Sequence, residues 1–291
     1  MAPAGAPWTE TRLAQATGDD RRLIAVDTHA HVFERGLPLA AGRRYAPDYD
    51  ATLDAYLGML DAHGLSHGVL VQPSFLGTDN RYLVRALREA GPRLRGVAVV
   101  DPGFGEPGLR TLAEAGVTGM RLNLMGMADP PLDEPAWQAL LAHANQLRWH
   151  VELHVQAPRL ATVLPPLLAA GCRVVVDHFG RPDSLDQLQP LLAHAGTGQV
   201  WVKLSAPYRN WADLACAQAR EDASREAAQR LVAAFGPQHL MWGSDWPHTE
   251  HRDLADYGSS RARLDGWIAD PDIRRLILAD TPLHFFQFPG D

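Results

Sequence analysis

Asp27-Thr28-His29-Ala30-His31 sets two imidazoles two residues apart. On an extended segment side chains alternate, so His29 and His31 share one side and can address a single ligand or substrate atom. Three more groups of the same chemical kind end other apolar runs: His154 in HVELH, His178 in VVVDHFG and Asp245 in MWGSDWPH. Imidazoles and a carboxylate gathered at one place either ligate a divalent metal or move protons near neutral pH. Taken alone, any of the 13 histidines is most simply a satisfied core or surface residue. The common position of these four histidines and one aspartate at the ends of apolar runs is what singles them out. His63, His67, His143, His194, His248, His251 and His284 read as ordinary.

Positioning five such groups at one mouth requires the elements that carry them to be parallel. Eight short β-branched runs are present: LIAVDTH (23–29), HGVLVQ (67–72), GVAVV (96–100), TGMRLN (118–123), HVELH (150–154), RVVVDH (173–178), QVWVKLS (199–205) and HLMWGSD (239–245). Segments of helical period lie between them, among them DATLDAYLGMLDAHG ending at Gly64, TDNRYLVRALREAG ending at Gly91, DEPAWQALLAHANQL and SREAAQRLVAAFG. Strand and helix in alternation predict βα units and a parallel sheet. An open doubly wound sheet alternates in the same way, and the count of eight favours closure into a single-domain (β/α)₈ TIM barrel. In such a barrel the carboxyl ends of the strands line the active-site mouth. The 22 prolines and 25 glycines are expected between the elements and not inside them.

The composition suits one large core, with 46% hydrophobic and 21% charged residues over a length of 291. Lys and Arg number 27 against 34 for Asp and Glu, a net charge of −7, and no basic stripe follows a phosphate backbone, so nucleic-acid binding is not expected. The two cysteines, Cys172 and Cys216, read as ordinary buried thiols in a reducing compartment. No stretch of 18 consecutive apolar residues predicts a membrane span, and residues 1–22 lack a signal-peptide core, so a cytoplasmic protein is expected. Residues 1–22, rich in Ala, Pro, Gly and Thr, read as a flexible tail or strap, and residues 23–291 as the barrel. No exposed amphipathic seam marks a protein interface.

The segments VDTHAHVF, VELH, VDHFGRP and LMWGSDWPH resemble the signature strand ends of the amidohydrolase superfamily. With RRYAPDYD, VQPSFLGTDNRYLV and RLNLMG, they resemble the branch that holds 2-pyrone-4,6-dicarboxylate lactonase and related sugar-lactone and muconolactone hydrolases. The likeness runs from about residue 23 to residue 287. It implies hydrolysis of a carboxylated lactone, with Asp245 as general base on water. His29, His31, His154 and His178 would polarise the carbonyl, either directly as donors or through one divalent metal. If a metal is bound, zinc on His29, His31, His154 and Asp245 is the expected set. Strand four ends in Arg121 and Asn123, with neither the lysine nor the bridging glutamate of a binuclear centre.

A small anionic substrate calls for arginine, whose planar fork meets a carboxylate bidentately. Arg121, Arg181 and Arg209 lie at or just beyond strand ends and are expected to hold acid groups. Gln72, Ser74, Tyr45 and Tyr49 are expected to add neutral hydrogen bonds. No Lys or Arg falls between Arg121 and Arg148, where the resembling enzymes carry a further basic residue, which leaves room for a substrate with fewer acidic groups. Trp246 is expected to wall the pocket, and Trp201 and Trp242 to lie in the outer core. Two other functions compete: a metal-dependent, non-oxidative decarboxylase of an aromatic acid, and a non-catalytic binding barrel.

Overall fold

The structure, a computed structural model, describes residues 24–288; the tail expected over residues 1–22 lies outside them. Eight parallel strands follow one another in chain order: β1 Val26–Ala30, β2 His67–Val71, β3 Leu94–Ala98, β4 Val117–Asn123, β5 His150–His154, β6 Arg173–Val176, β7 Val200–Leu204 and β8 Leu240–Trp242. The helices between them include α1 Leu53–Ala62, α2 Arg81–Ala90, α3 Gly105–Glu114, α4 Pro135–Gln146, α5 Leu160–Ala169, α6 Gln189–Leu192, α7 Ala217–Phe235 and, after β8, α8 Tyr257–Trp267. This is a (β/α)₈ TIM barrel. Among the described residues no helix is long and apolar enough to cross a membrane.

The barrel closes between β1 and β8 at the end that carries His29, His31 and Asp245. His31 N donates to Trp246 O and Asp245 N to His29 O, each at 2.8 Å, and Thr28 Oγ1 donates to Trp242 O at 2.8 Å. The bonds that shut the cylinder therefore also fix His29, His31 and Asp245 relative to one another. The β1–β2 register slips by one residue between Asp27 and Ala30. Such a bulge lets Val26 and His29 both face the axis despite their odd spacing.

Two apolar layers hold the barrel. The larger lies between sheet and helices and includes Leu70, Leu94, Leu153, Val176, Leu204 and Trp242. The smaller fills the barrel interior at its amino-terminal end with Val26, Val69, Val97, Val175 and Met241. Phe285, Phe286 and Phe288 plug that layer, Phe286 meeting His150 edge-on at 5.3 Å. Trp242 lies in the outer core as expected, whereas Trp201 packs on Phe285 beside the plug. Trp246 stacks at a tilt on Tyr56 within the outer core.

Several expectations need correction. Pro165 and Pro166 sit inside α5, because a helix whose buried face carries Leu160, Val163, Leu164 and Leu167 is held by packing more than by propensity. Glycines also enter elements: a Cβ at Gly119 in β4 would come within 2.6 Å of all three nearest His150 ring atoms, so that site admits no side chain. Gly64 and Gly91 do end their helices, at φ +69° and +59°. Strands six and eight stop short of His178 and Asp245, because those residues take φ of +52° and +60°, which ends an extended ladder. Cys172 is buried, and burial pushes its thiol up to about 11, but Cys216 is exposed ahead of α7.

Replacing the fully buried Phe286 with alanine opens the plug and should lower unfolding stability by about 3–5 kcal/mol in denaturant titration. A loss under about 1 kcal/mol would show that the interior layer does not rely on it.

Candidate active site

Gly243-Ser244-Asp245 leaves β8 and runs against β1. A Cβ on Gly243 would lie 2.7 Å from the His29 Cβ, so only glycine lets the two backbones meet here. The buried Asp27 carboxylate clamps the junction. It accepts from His29 N at 3.2 Å, Ser244 N at 2.8 Å, Ser244 Oγ at 2.6 Å and Tyr257 OH at 3.0 Å. Burial still raises its pKa against those donors.

The Asp245 carboxylate is divided into two unlike halves. Oδ2 accepts from Tyr208 OH at 2.6 Å and from Arg209 Nε at 2.7 Å. Oδ1 has no hydrogen-bond partner among the described residues and faces three imidazole Nε2 atoms, of His29 at 3.6 Å, His31 at 3.7 Å and His178 at 3.9 Å. Burial alone would raise the carboxyl pKa, but the Arg209 guanidinium together with His178, His29 and His31 outweighs it and holds the group well below the usual range. Asp245 is thus ionised, with Oδ1 bare.

The far nitrogen of each ring sets what its near nitrogen can do. His31 Nδ1 donates to Val71 O at 2.7 Å, which leaves Nε2 as an acceptor. Burial, with His29 and Arg121 nearby, lowers His31 to about 3, so the ring is neutral. His154 Nδ1 lies 3.4 Å from Arg121 Nη2, which can only donate; its buried Nε2 therefore carries the proton and has no partner among the described residues. His178 Nδ1 meets Ser205 Oγ at 2.8 Å. Burial keeps His154 and His178 well below the usual histidine range. The rings touch in sequence, with centroids 5.0 Å apart for His29–His31, 4.8 Å for His29–His178 and 5.0 Å for His154–His178.

Beneath them lies a buried layer of ions, of which only Arg121 carries a sequence expectation, that of holding a substrate acid group. Lys203 contacts Glu152 Oε2 at 2.5 Å and Asp177 Oδ1 at 3.6 Å, and Arg121 contacts Asp177 Oδ2 at 3.0 Å and Glu152 Oε1 at 3.7 Å. Two cations thus balance two carboxylates, all within 3% of full burial. Parity was the available signal: Glu152 shares the inward side with His154, Lys203 with Ser205, and Asp177 precedes His178 in VVVDH.

The five expected groups do converge, with His154 on the far side of His178 from Asp245. Ligating atoms of His29, His178 and Asp245 lie within 4.8 Å of one another, so His178 stands in this cluster where the expected metal set had His154. The distances from Asp245 Oδ1, 3.6 Å to His29 Nε2 and 3.9 Å to His178 Nε2, can each be spanned by two bonds of about 2.1 Å, so the residue types and their spacing fit a divalent ion.

The expected binding residues divide. Arg209 is committed to Asp245 and to Thr249 O at 3.0 Å, and Arg121 to Asp177 and His154. Arg181 keeps its Nε unpartnered while bonding Arg209 O through Nη1; burial, with Arg209 and Arg44 adding like charge, brings it down to about 10. Gln72 turns its amide to Gly77 O and Asp79 O, pinning the loop after β2. Tyr45 OH meets Thr249 Oγ1 at 3.3 Å, and Tyr49 lies under Arg252, whose Cζ is 4.1 Å from the ring centre. Ser74 lines a cleft of about 280 Å³ with Arg43, Arg44, Asn123 and Met127. Tyr208 was not foreseen, and His248, read as ordinary, is buried with Nδ1 3.1 Å from Tyr208 OH. Neither carries a sequence signal beyond lying near a strand end.

A family model described as amidohydrolase matches residues 26–288. A 2-pyrone-4,6-dicarboxylate hydrolase of Comamonas testosteroni is 30% identical over 275 residues, covering 90% of each chain. A 4-sulfomuconolactone hydrolase of Rhizobium radiobacter is 29% identical over 273 residues, covering 90% of this chain and 89% of its own. The solved structure of a probable 2-pyrone-4,6-dicarboxylic acid hydrolase from Acinetobacter baumannii with citric acid bound superposes with a TM-score of 0.86 at 37% identity, covering 91% of this chain and 99% of that one.

The imidazole NMR signals of His31, His154 and His178 should stay those of neutral rings from about pH 8 down to about pH 5, below the ordinary histidine midpoint. Titration of these rings near pH 6.5 would contradict the burial and charge described.

Proposed function

The chain belongs to the amidohydrolase family, and from that premise we propose that it is a lactone hydrolase that opens a small carboxylated lactone by attack of water, with Asp245 as general base. The divided Asp245 carboxylate is the observation that carries this reading. Its bare Oδ1 and the acceptor Nε2 of His31, 3.7 Å apart, offer two acceptors to the two hydrogens of one water. His154, made an Nε2–H donor by Arg121, supplies a hydrogen bond to the carbonyl oxygen as it gains charge. Water oxygen bonds to the carbonyl carbon while its proton passes to Asp245 Oδ1. The tetrahedral centre collapses with cleavage of the ring C–O bond, and the departing oxygen takes that proton. A carboxyl as acidic as that of Asp245 is a poor resting place for a proton, which favours its prompt return. The new carboxylic acid then ionises to solvent.

Arg181 is the group best placed for a substrate carboxylate, because an anion there relieves its repulsion from Arg209 and Arg44 and engages the unpartnered Nε. The named relatives act on lactones bearing carboxylate or sulfonate groups, and the citrate ligand of the similar structure is itself a small polyanion. A zinc ion, if held by His29, His178 and Asp245, would lower the pKa of bound water to about 7 and polarise a carbonyl.

Purified protein mixed with 2-pyrone-4,6-dicarboxylate should consume the pyrone absorbance, and Arg181→Ala should raise KM for that dianion at least about tenfold while changing little for a neutral pyrone. Equal losses on both substrates would remove Arg181 from carboxylate binding. Release of CO₂ from a benzoate-type acid without turnover of any lactone would replace the hydrolase by the decarboxylase.

A further inference from the structure

Lys203 is the one lysine of the chain, and it lies in the barrel interior with no exposed surface. A lysine ammonium has three N–H donors. Three acceptors surround this one: Glu152 Oε2, His29 Nδ1 at 3.1 Å and Asp177 Oδ1 at 3.6 Å. A ring nitrogen that accepts from lysine holds no proton of its own, and a neutral imidazole carries a single N–H. The proton of His29 is therefore displaced to Nε2.

We infer that Lys203 is a positioning residue that fixes His29 as an Nε2–H donor, turned toward Asp245 and the substrate, in place of the Nε2 lone pair that a metal ligand presents.

The alternative arrangement is close at hand, which gives Lys203 something to decide. His29 Nδ1 is also 3.2 Å from Asp177 Oδ1 and 3.5 Å from Glu152 Oε1. Donation to either would bare Nε2 for a metal, in the carboxylate–histidine–metal pattern of many zinc sites. Neither oxygen makes a hydrogen bond of acceptable geometry among the described residues, whereas the lysine contact does. His154 repeats the logic with Arg121 behind its Nδ1, and His31 shows the opposite case with a carbonyl behind it. Cation-backed rings point a proton into the site and the carbonyl-backed ring points a lone pair. Within the lactonase reading, on which this assignment builds, His29 then stabilises developing negative charge as a donor.

The test replaces the buried pair as a unit, Glu152→Gln with Lys203→Met, so that one cation and one anion leave together and the layer stays balanced. Equilibrium dialysis against zinc chloride should show zinc bound at least about tenfold more tightly by this variant than by the parent, because His29 can then donate to Asp177 and offer Nε2 to the metal. Equal or weaker zinc binding by a folded variant overturns the inference. Should the double variant not fold, the ¹⁵N spectrum of the parent protein decides, with the His29 signals assigned by their loss in His29→Asn. An Nε2–H tautomer supports the role of Lys203, and an Nδ1–H tautomer overturns it. Neither readout depends on turnover, so failure here leaves the lactonase reading intact, and failure of every lactone to react leaves the tautomer result standing.

Discussion

Asp245 has one oxygen saturated and the other bare, and the remainder of the site is arranged around that asymmetry. Two strong donors, the Tyr208 hydroxyl and the Arg209 guanidinium, engage Oδ2 and leave Oδ1 to the histidines. The residue sits at φ +60°, a conformation of order 1–3 kcal/mol above the usual minima for a residue with a side chain, and the surrounding bonds impose it. Those bonds are the ones that close the barrel: Asp245 N to His29 O, His31 N to Trp246 O, and the Asp27 clamp on Ser244 and His29. Closure of the fold and placement of the Asp245 carboxylate are the same structural event.

Below the histidines the barrel interior changes character in layers. Phenylalanines plug the amino-terminal end, a valine and methionine layer follows, then the balanced ions Glu152, Asp177, Lys203 and Arg121, and the imidazoles above them. Buried ion pairs are weak sources of stability, since desolvation offsets much of their attraction. Their value here is directional. Each cation or carbonyl behind a ring selects which nitrogen carries the proton, and so whether that ring gives or receives a hydrogen bond at the barrel mouth.

Strand positions, the eightfold repeat and the convergence of His29, His31, His154, His178 and Asp245 were legible because short β-branched runs and their polar ends are local signals. Asp27 shows the limit. It stands in the same DTHAH motif, yet its role as a clamp depends on Ser244 and Tyr257, more than 200 residues away in the chain. Lys203 shared the inward parity of Ser205, but parity does not say which neighbours a side chain will meet in three dimensions. Arg121 and Arg209 were expected to hold acid groups of a substrate, whereas the structure pairs them with the protein's own carboxylates and His154, a choice fixed by packing. The proline pair in α5 went unforeseen because tertiary burial overrode local propensity.

The most direct test of the account is the rate of lactone opening by Asp245→Asn, which keeps the shape of the side chain and its place beside Arg209 but removes the base. The account predicts a fall in kcat of about 10³-fold, within the range for loss of a general base, with KM for the carboxylated lactone largely kept. A variant that retains kcat within about tenfold of the parent would contradict it.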